Sequence, residues 1–284
     1  MTVSTTAPSE IANSIQIGDY TLNYHDQGTG EAILLIHGSG PGVTSWANWR
    51  GVIPEIAKRG RVIAPDMLGF GYTSCPADLK LDPATWVHSL VGLLDALKIE
   101  RVSIVGNSFG GAIALAFAKA HPDRVNRLVL MGSAGLSFPL TDGLNKVWGY
   151  QPSLDAMRSL MEVFNYNHSI ITDDLVRMRY EASIRDDVQT RFAALFPEPR
   201  QQGVEMLALS EDELRSIKHK TLLIHGRDDQ VIPLESSERM VRLISDAQLH
   251  VFGECGHWVQ IEKAKEFTRL LLDFLIEQPV TAGA

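Results

Sequence analysis

Continuous apolar runs recur along the chain, with helical stretches between them. They are AILLIHG (Ala32–Gly38), RVIAPDMLGFG (Arg61–Gly71), RVSIVGNS (Arg101–Ser108), RLVLMGSAG (Arg127–Gly135), KTLLIHGRDD (Lys220–Asp229) and AQLHVFGECGHW (Ala247–Trp258). None alternates apolar with polar, which is the pattern of strands covered on both faces. Trp86–Leu97, Gly111–Ala120 and Glu262–Ile276 read as helices between or after them. The alternation predicts an α/β fold, a doubly wound and mostly parallel central sheet. SIQIGDYTLNYHDQG (Ser14–Gly28) reads as an antiparallel hairpin leading in.

The rhythm breaks between residues 137 and 210, where DAMRSLMEVF and DDLVRMRYEASI are helical in character and no strand is evident. The expected organisation is a flexible N-terminus (1–13), a core (14–136 and 211–280) and a helical cap (137–210) inserted between two late strands. The 284 residues, 45% of them hydrophobic, are enough for a full core. A net charge of -8 argues against a nucleic-acid surface, which needs clustered Lys and Arg. No apolar run approaches the ~20 residues of a membrane span, and the polar MTVSTTAPSE lacks a signal-peptide core. Cys75 and Cys255 fit no metal-ligand spacing, so two free thiols in a cytoplasmic protein are expected.

Candidate chemistry begins at Gly106-Asn107-Ser108-Phe109-Gly110, a G-x-S-x-G match between a strand and a helix. Alone the motif is weak, and an ordinary glycine-rich turn would also fit. A serine on such a turn needs small neighbours, which Gly106, Gly110, Gly111 and Ala112 supply. It also needs a base and an orienting acid. HGRDDQVIP offers Asp229, with Asp228 as the fallback, and GECGHWVQIE offers His257. The order Ser, Asp, His is that of the α/β-hydrolase fold. The expected oxyanion donors are the N–H groups of Phe109 and of Ser39 in HGSGPG. His37 and His225, each at a strand end before Gly, are expected to brace loops.

Six segments together carry a stronger resemblance: LLIHGSGPGVTSWANWR, RVIAPDMLGFGYT, VGNSFGGAIAL, LVLMGSAG, HGRDDQVIPL and LHVFGECGHWVQIE. The chain resembles the meta-cleavage product hydrolases of aromatic catabolism, from about residue 14 to 278. It is most similar to the 2-hydroxymuconate semialdehyde and alkylbenzene branch.

The resemblance implies hydrolysis of a carbon–carbon bond in a 2-hydroxy-6-oxohexa-2,4-dienoate. The products would be 2-hydroxypenta-2,4-dienoate and a small carboxylic acid. It implies no metal or organic cofactor, a small-molecule dienoate as the partner, and a homo-oligomer (dimer or larger).

A carbanion can leave only if the dienol first becomes a ketone, so donors are needed at the 2-oxo and carboxylate end. Asn48, Asn107 and Arg185 match the family pattern there, and Trp258 would pack on the dienoate plane. Their bland alternatives are a helix cap for Asn48, an elbow brace for Asn107, a surface ion pair for Arg185 and plain core for Trp258. By the same resemblance, Ala134, Leu144, Val147, Trp148, Val204 and Ile232 would line the acyl end, or else are only core. Gly203 stands where close relatives carry an aromatic residue, which opens the question of acyl size. The rivals are a serine esterase or lactonase on the same fold, and a non-catalytic ligand receptor. Direct attack by Ser108 and attack by water activated at His257 both remain open.

Overall fold

A computed structural model of the protein describes residues 10–276. Eight strands form one sheet: β1 (Asn13–Ile17), β2 (Tyr20–Gln27), β3 (Ala32–Ile36), β4 (Arg61–Pro65), β5 (Val102–Asn107), β6 (Val125–Met131), β7 (Lys220–Gly226) and β8 (Ala247–Phe252). Their spatial order is β1-β2-β4-β3-β5-β6-β7-β8. β1 pairs antiparallel with β2, and β2 antiparallel with β4; all later pairings are parallel. The expected hairpin is therefore the antiparallel edge of the sheet.

Around the sheet lie α1 (Ser45–Trp49), α2 (Ile53–Ile56), α3 (Pro83–Ala96), α4 (Phe109–Ala120), α11 (Leu234–Leu243), α12 (Val259–Glu262) and α13 (Ala264–Leu275). Between β6 and β7 come α5 (Asp142–Trp148), α6 (Leu154–Phe164), α7 (Asp173–Ser183), α8 (Val188–Leu195), α9 (Gln201–Leu207) and α10 (Glu211–Ser216). Short polar side chains start many of these helices. Asp82 accepts from Thr85 N–H ahead of α3, whose first residue is Pro83. Thr141, Ser153 and Thr172 cap α5, α6 and α7 in the same way, and Ser210 and Glu213 form a reciprocal capping box on α10.

β3 and β5 are buried along their whole length, as continuous apolar runs require. β8 departs from that reading: its residues are exposed or half-buried, because it is the last strand and has a neighbour on one side only. AQLHVF alternates Ala247 and Leu249 with the exposed Gln248 and His250, the pattern of a half-covered strand, so the expectation of a continuous apolar run does not hold here. The strands also end earlier than the apolar runs, which continue into the loops carrying candidate residues. At the N-terminus, residues 1–9 of the expected flexible segment lie outside the described residues, as do 277–280 of the expected core. Glu10 is tied in: its carbonyl accepts from Asn23 Nδ2 at 2.9 Å, and its carboxylate meets the Thr44 and Tyr72 hydroxyls.

Candidate active site

β5 hands the chain to α4 through Ser108, which has φ 54° and ψ -115°. A non-glycine residue at positive φ is strained, and such strain concentrates at functional sites. The surroundings explain the glycines. A Cβ on Gly106 would lie 2.3 Å from the Gly110 carbonyl oxygen, and one on Gly110 would lie 2.3 Å from that of Ile36. The Ser108 N–H donates to the Met131 carbonyl, and the Ser108 carbonyl accepts from the Gly111 and Ala134 N–H groups. The turn is thus bound from β6 as well as from its own helix. Phe109 opens α4, where N–H groups lack intrahelical acceptors. Its ring fills the core beside Trp86, Phe70 and Phe196.

Two loops bring the remaining catalytic candidates to this turn. Asp229 follows β7, and His257 follows β8. His257 Nδ1 lies 2.7 Å from Asp229 Oδ2, and both side chains are buried. Asp229 Oδ1 accepts from the N–H groups of Val231 (2.7 Å) and Ile232 (3.0 Å). Burial raises the Asp229 pKa, but the neighbouring His257 and His225 outweigh it and hold the carboxyl well below the usual range. Asp228 instead turns toward Arg227 and the Cys255 N–H, so the structure places Asp229 against the imidazole.

A cavity of about 640 Å³ opens between the loops at the end of the sheet and the helices α6 and α7. Ser108, His257, Ser39, Asn48, Asn107, Arg185 and Trp258 all line it. Asn48 does not cap its helix, since Thr44 accepts the Ala47 N–H at the start of α1. The Asn48 Oδ1 accepts from Gly38 N–H at 3.4 Å, while its Nδ2 is buried without a partner. Asn107 does brace the elbow, donating to the Met131 carbonyl at 3.2 Å, and it faces the cavity as well.

Arg185 makes no ion pair with Asp186 or Asp187 among the described residues. Its guanidinium sits 4.1 Å above the Tyr72 ring, Nε donates to the Ala182 carbonyl, and Nη2 is buried and unpartnered. Trp258 stacks on Phe164, with centroids 4.6 Å apart and planes 13° apart.

The six residues expected at the acyl end are brought together differently. Ala134, Leu144, Val147, Trp148, Val204 and Ile232 are all buried in one core cluster, and none lines this cavity. Trp148 stacks on Phe196 at 4.1 Å and donates from Nε1 to Ser39 Oγ at 3.0 Å. A Cβ on Gly203 would lie 2.9 Å from the Trp148 ring and 3.1 Å from that of Phe196, so the stack leaves no room for a larger side chain there.

Sequence reasoning missed the supports. The Phe164 carbonyl, at the end of α6, accepts both the His257 and Trp258 N–H groups at 2.8 and 3.2 Å. Tyr72 lies under Arg185, and Glu10 lines the cavity. Each depends on long-range contacts that leave no local signal.

No helix among the described residues is long and apolar enough to cross a membrane. No cluster of His, Cys, Asp and Glu among them is placed to hold a metal ion.

A family model for the α/β-hydrolase fold matches residues 31–264. The chain is 54% identical over 271 residues to a 2-hydroxy-6-oxo-2,4-heptadienoate hydrolase of Pseudomonas putida, covering 95% of this chain and 98% of that protein. It is 55% identical over 273 residues to a 2-hydroxymuconate semialdehyde hydrolase of Pseudomonas sp. strain CF600, covering 96% of each. A crystal structure of a meta-cleavage product hydrolase from Pseudomonas fluorescens IP01 superposes with a TM-score of 0.92 at 52% identity, covering 93% of this chain and 97% of that one. The chain belongs to the α/β-hydrolase family and, within it, to the meta-cleavage product hydrolases.

Proposed function

We propose that the protein hydrolyses the C5–C6 bond of a 2-hydroxy-6-oxohexa-2,4-dienoate, releasing 2-hydroxypenta-2,4-dienoate and formate or acetate. One observation supports this above all: Arg185 Nη2 and Asn48 Nδ2 are buried without partners in the cavity that holds Ser108 and His257. A buried donor left unpaired costs about 1–3 kcal/mol. Both donors suit the carboxylate and 2-oxo group of a bound dienoate, with Asn107 beside them and Trp258 against its plane.

The mechanism follows from the two ends. At the carboxylate end the donors favour the 2-keto tautomer: the 2-hydroxyl gives up its proton, C5 gains one, and the double bond is left between C3 and C4. At the elbow, His257 donates Nδ1–H to Asp229, which leaves Nε2 as the base. The tetrahedral oxyanion at C6 is met by the N–H groups of Ser39 and Phe109. The C5–C6 electron pair then passes through C4=C3 into the 2-oxo acid. Serine attack and water attack use the same base, and trapping of an acyl-enzyme separates them.

Ala134, Leu144, Val147, Trp148, Val204 and Ile232 are packed in the core behind the cavity rather than on its wall, and Trp148 donates to Ser39 on that wall, which supports a small acyl group. The named substrates of the two Pseudomonas relatives carry such groups. A cytoplasmic homo-oligomer, dimer or larger, belongs to the same proposal and is checked by sedimentation. The decisive test adds the yellow dienoate and follows its absorbance. Wild-type protein should bleach it and Ser108→Ala should not. Ester turnover with no bleaching of any such dienoate would refute the reading and favour the esterase.

A further inference from the structure

One buried titratable side chain touches the triad without lining the cavity. His225 ends β7 and is fully buried. Its Nδ1 lies 2.7 Å from Ser237 Oγ in α11. Its Nε2 lies 3.0 Å from the Ile232 carbonyl and 3.3 Å from Asp229 Oδ2. A carbonyl and a carboxylate only accept, so Nε2 carries the hydrogen. An uncharged ring then takes the Ser237 hydroxyl at Nδ1.

That hydrogen faces the same Asp229 oxygen that orients His257. The carbonyl it reaches belongs to Ile232, whose own N–H holds the other Asp229 oxygen. Ser237, His225, Asp229 and His257 thus form one chain of contacts running from α11 to the candidate base.

We propose that His225 is a positioning residue for the triad carboxylate, fixing the 229–232 loop and withholding part of the Oδ2 charge from His257. This rests on the roles given above to Asp229 and His257. The titratable groups around Asp229 are His257 from the loop after β8, His225 from β7, Cys255 and Asp228. Burial pushes the Cys255 thiol up to about 12, and Asp228 turns to Arg227. Without the His225 N–H, Oδ2 serves His257 alone and stabilises the imidazolium more strongly, so the acid limb of activity moves to higher pH. Because His225 does not line the cavity, the loss falls on kcat rather than KM.

The experiment compares His225→Phe, His225→Gln and Ser237→Ala with wild type, reading pH profiles with both the dienoate and p-nitrophenyl acetate. The ester reports on the triad even if the dienoate is not the substrate, so failure here is distinct from failure of the proposed function. Expected for His225→Phe is a fall in kcat of about 10- to 100-fold, KM within about threefold, and an acid limb shifted up by about 0.5–1 pH unit. His225→Gln, which restores an N–H donor, should recover part of both effects. Ser237→Ala should move the limb in the same direction by a smaller amount, and it decides the matter if His225→Phe does not fold. An acid limb unmoved in the folded variants, whatever happens to kcat, would overturn the proposal and leave His225 a packing residue.

Discussion

The two ends of the cavity are built on opposite terms. Around Asp229 every oxygen is matched: Val231 and Ile232 hold one, and His257 and His225 face the other. At Arg185 and Asn48, donors stand buried and unmatched. The first end is complete without a ligand, so its geometry is set by the fold alone. The second end is completed only by what binds there. A frame that needs no ligand gives rate, and one that needs its ligand gives selectivity.

Substitutions can break this contrast at either end. The largest effect is expected at the matched end, where Ser108→Ala or His257→Ala should lower kcat by at least about 10⁴-fold, seen as residual bleaching of the dienoate. At the open end, Arg185→Gln removes one charged donor, and kcat/KM for the dienoate should fall about 10- to 100-fold. The keto intermediate should form more slowly in a stopped-flow trace. Equal losses on an uncharged ester would erase the distinction between the ends.

Acid separates them by stability. Asp229 is held below its ordinary value near 3.8, so its ionised form stabilises the fold fully above about pH 4. That contribution is lost as pH falls further, and Asp229→Asn should flatten the decline in Tm below about pH 4. The smallest effect is expected at Cys255, whose thiol burial raises to about 12. Thiol reagents at pH 8 should leave it unlabelled by mass spectrometry.

Much of this was legible in the chain, for physical reasons. β3, β5 and β7 are covered on both faces and so announce themselves as unbroken apolar runs. The elbow is legible because close approach leaves room only for glycine at 106, 110 and 111. Asp229 and His257 follow from strand order. β8 was misread because Gln248 and His250, which alternate with its apolar residues, mark a half-covered edge strand rather than a central one. Tyr72 and Phe164 were hidden, since each acts through a partner far away in sequence; His225 was expected to brace a loop and does so at Ile232, while its contact with Asp229 left no signal. The acyl-end residues were recognisable as apolar, but apolarity cannot separate a cavity wall from the packed core in which they lie.

The Phe164 carbonyl bonds carry a last consequence. They join the tip of α6 to the backbone of His257 and Trp258, so at that corner the roof of the cavity and the proposed catalytic imidazole share one anchor. Any movement that raises α6 from the core also releases two N–H groups and loosens the base. At this corner, opening the cavity and disarming the enzyme are a single event.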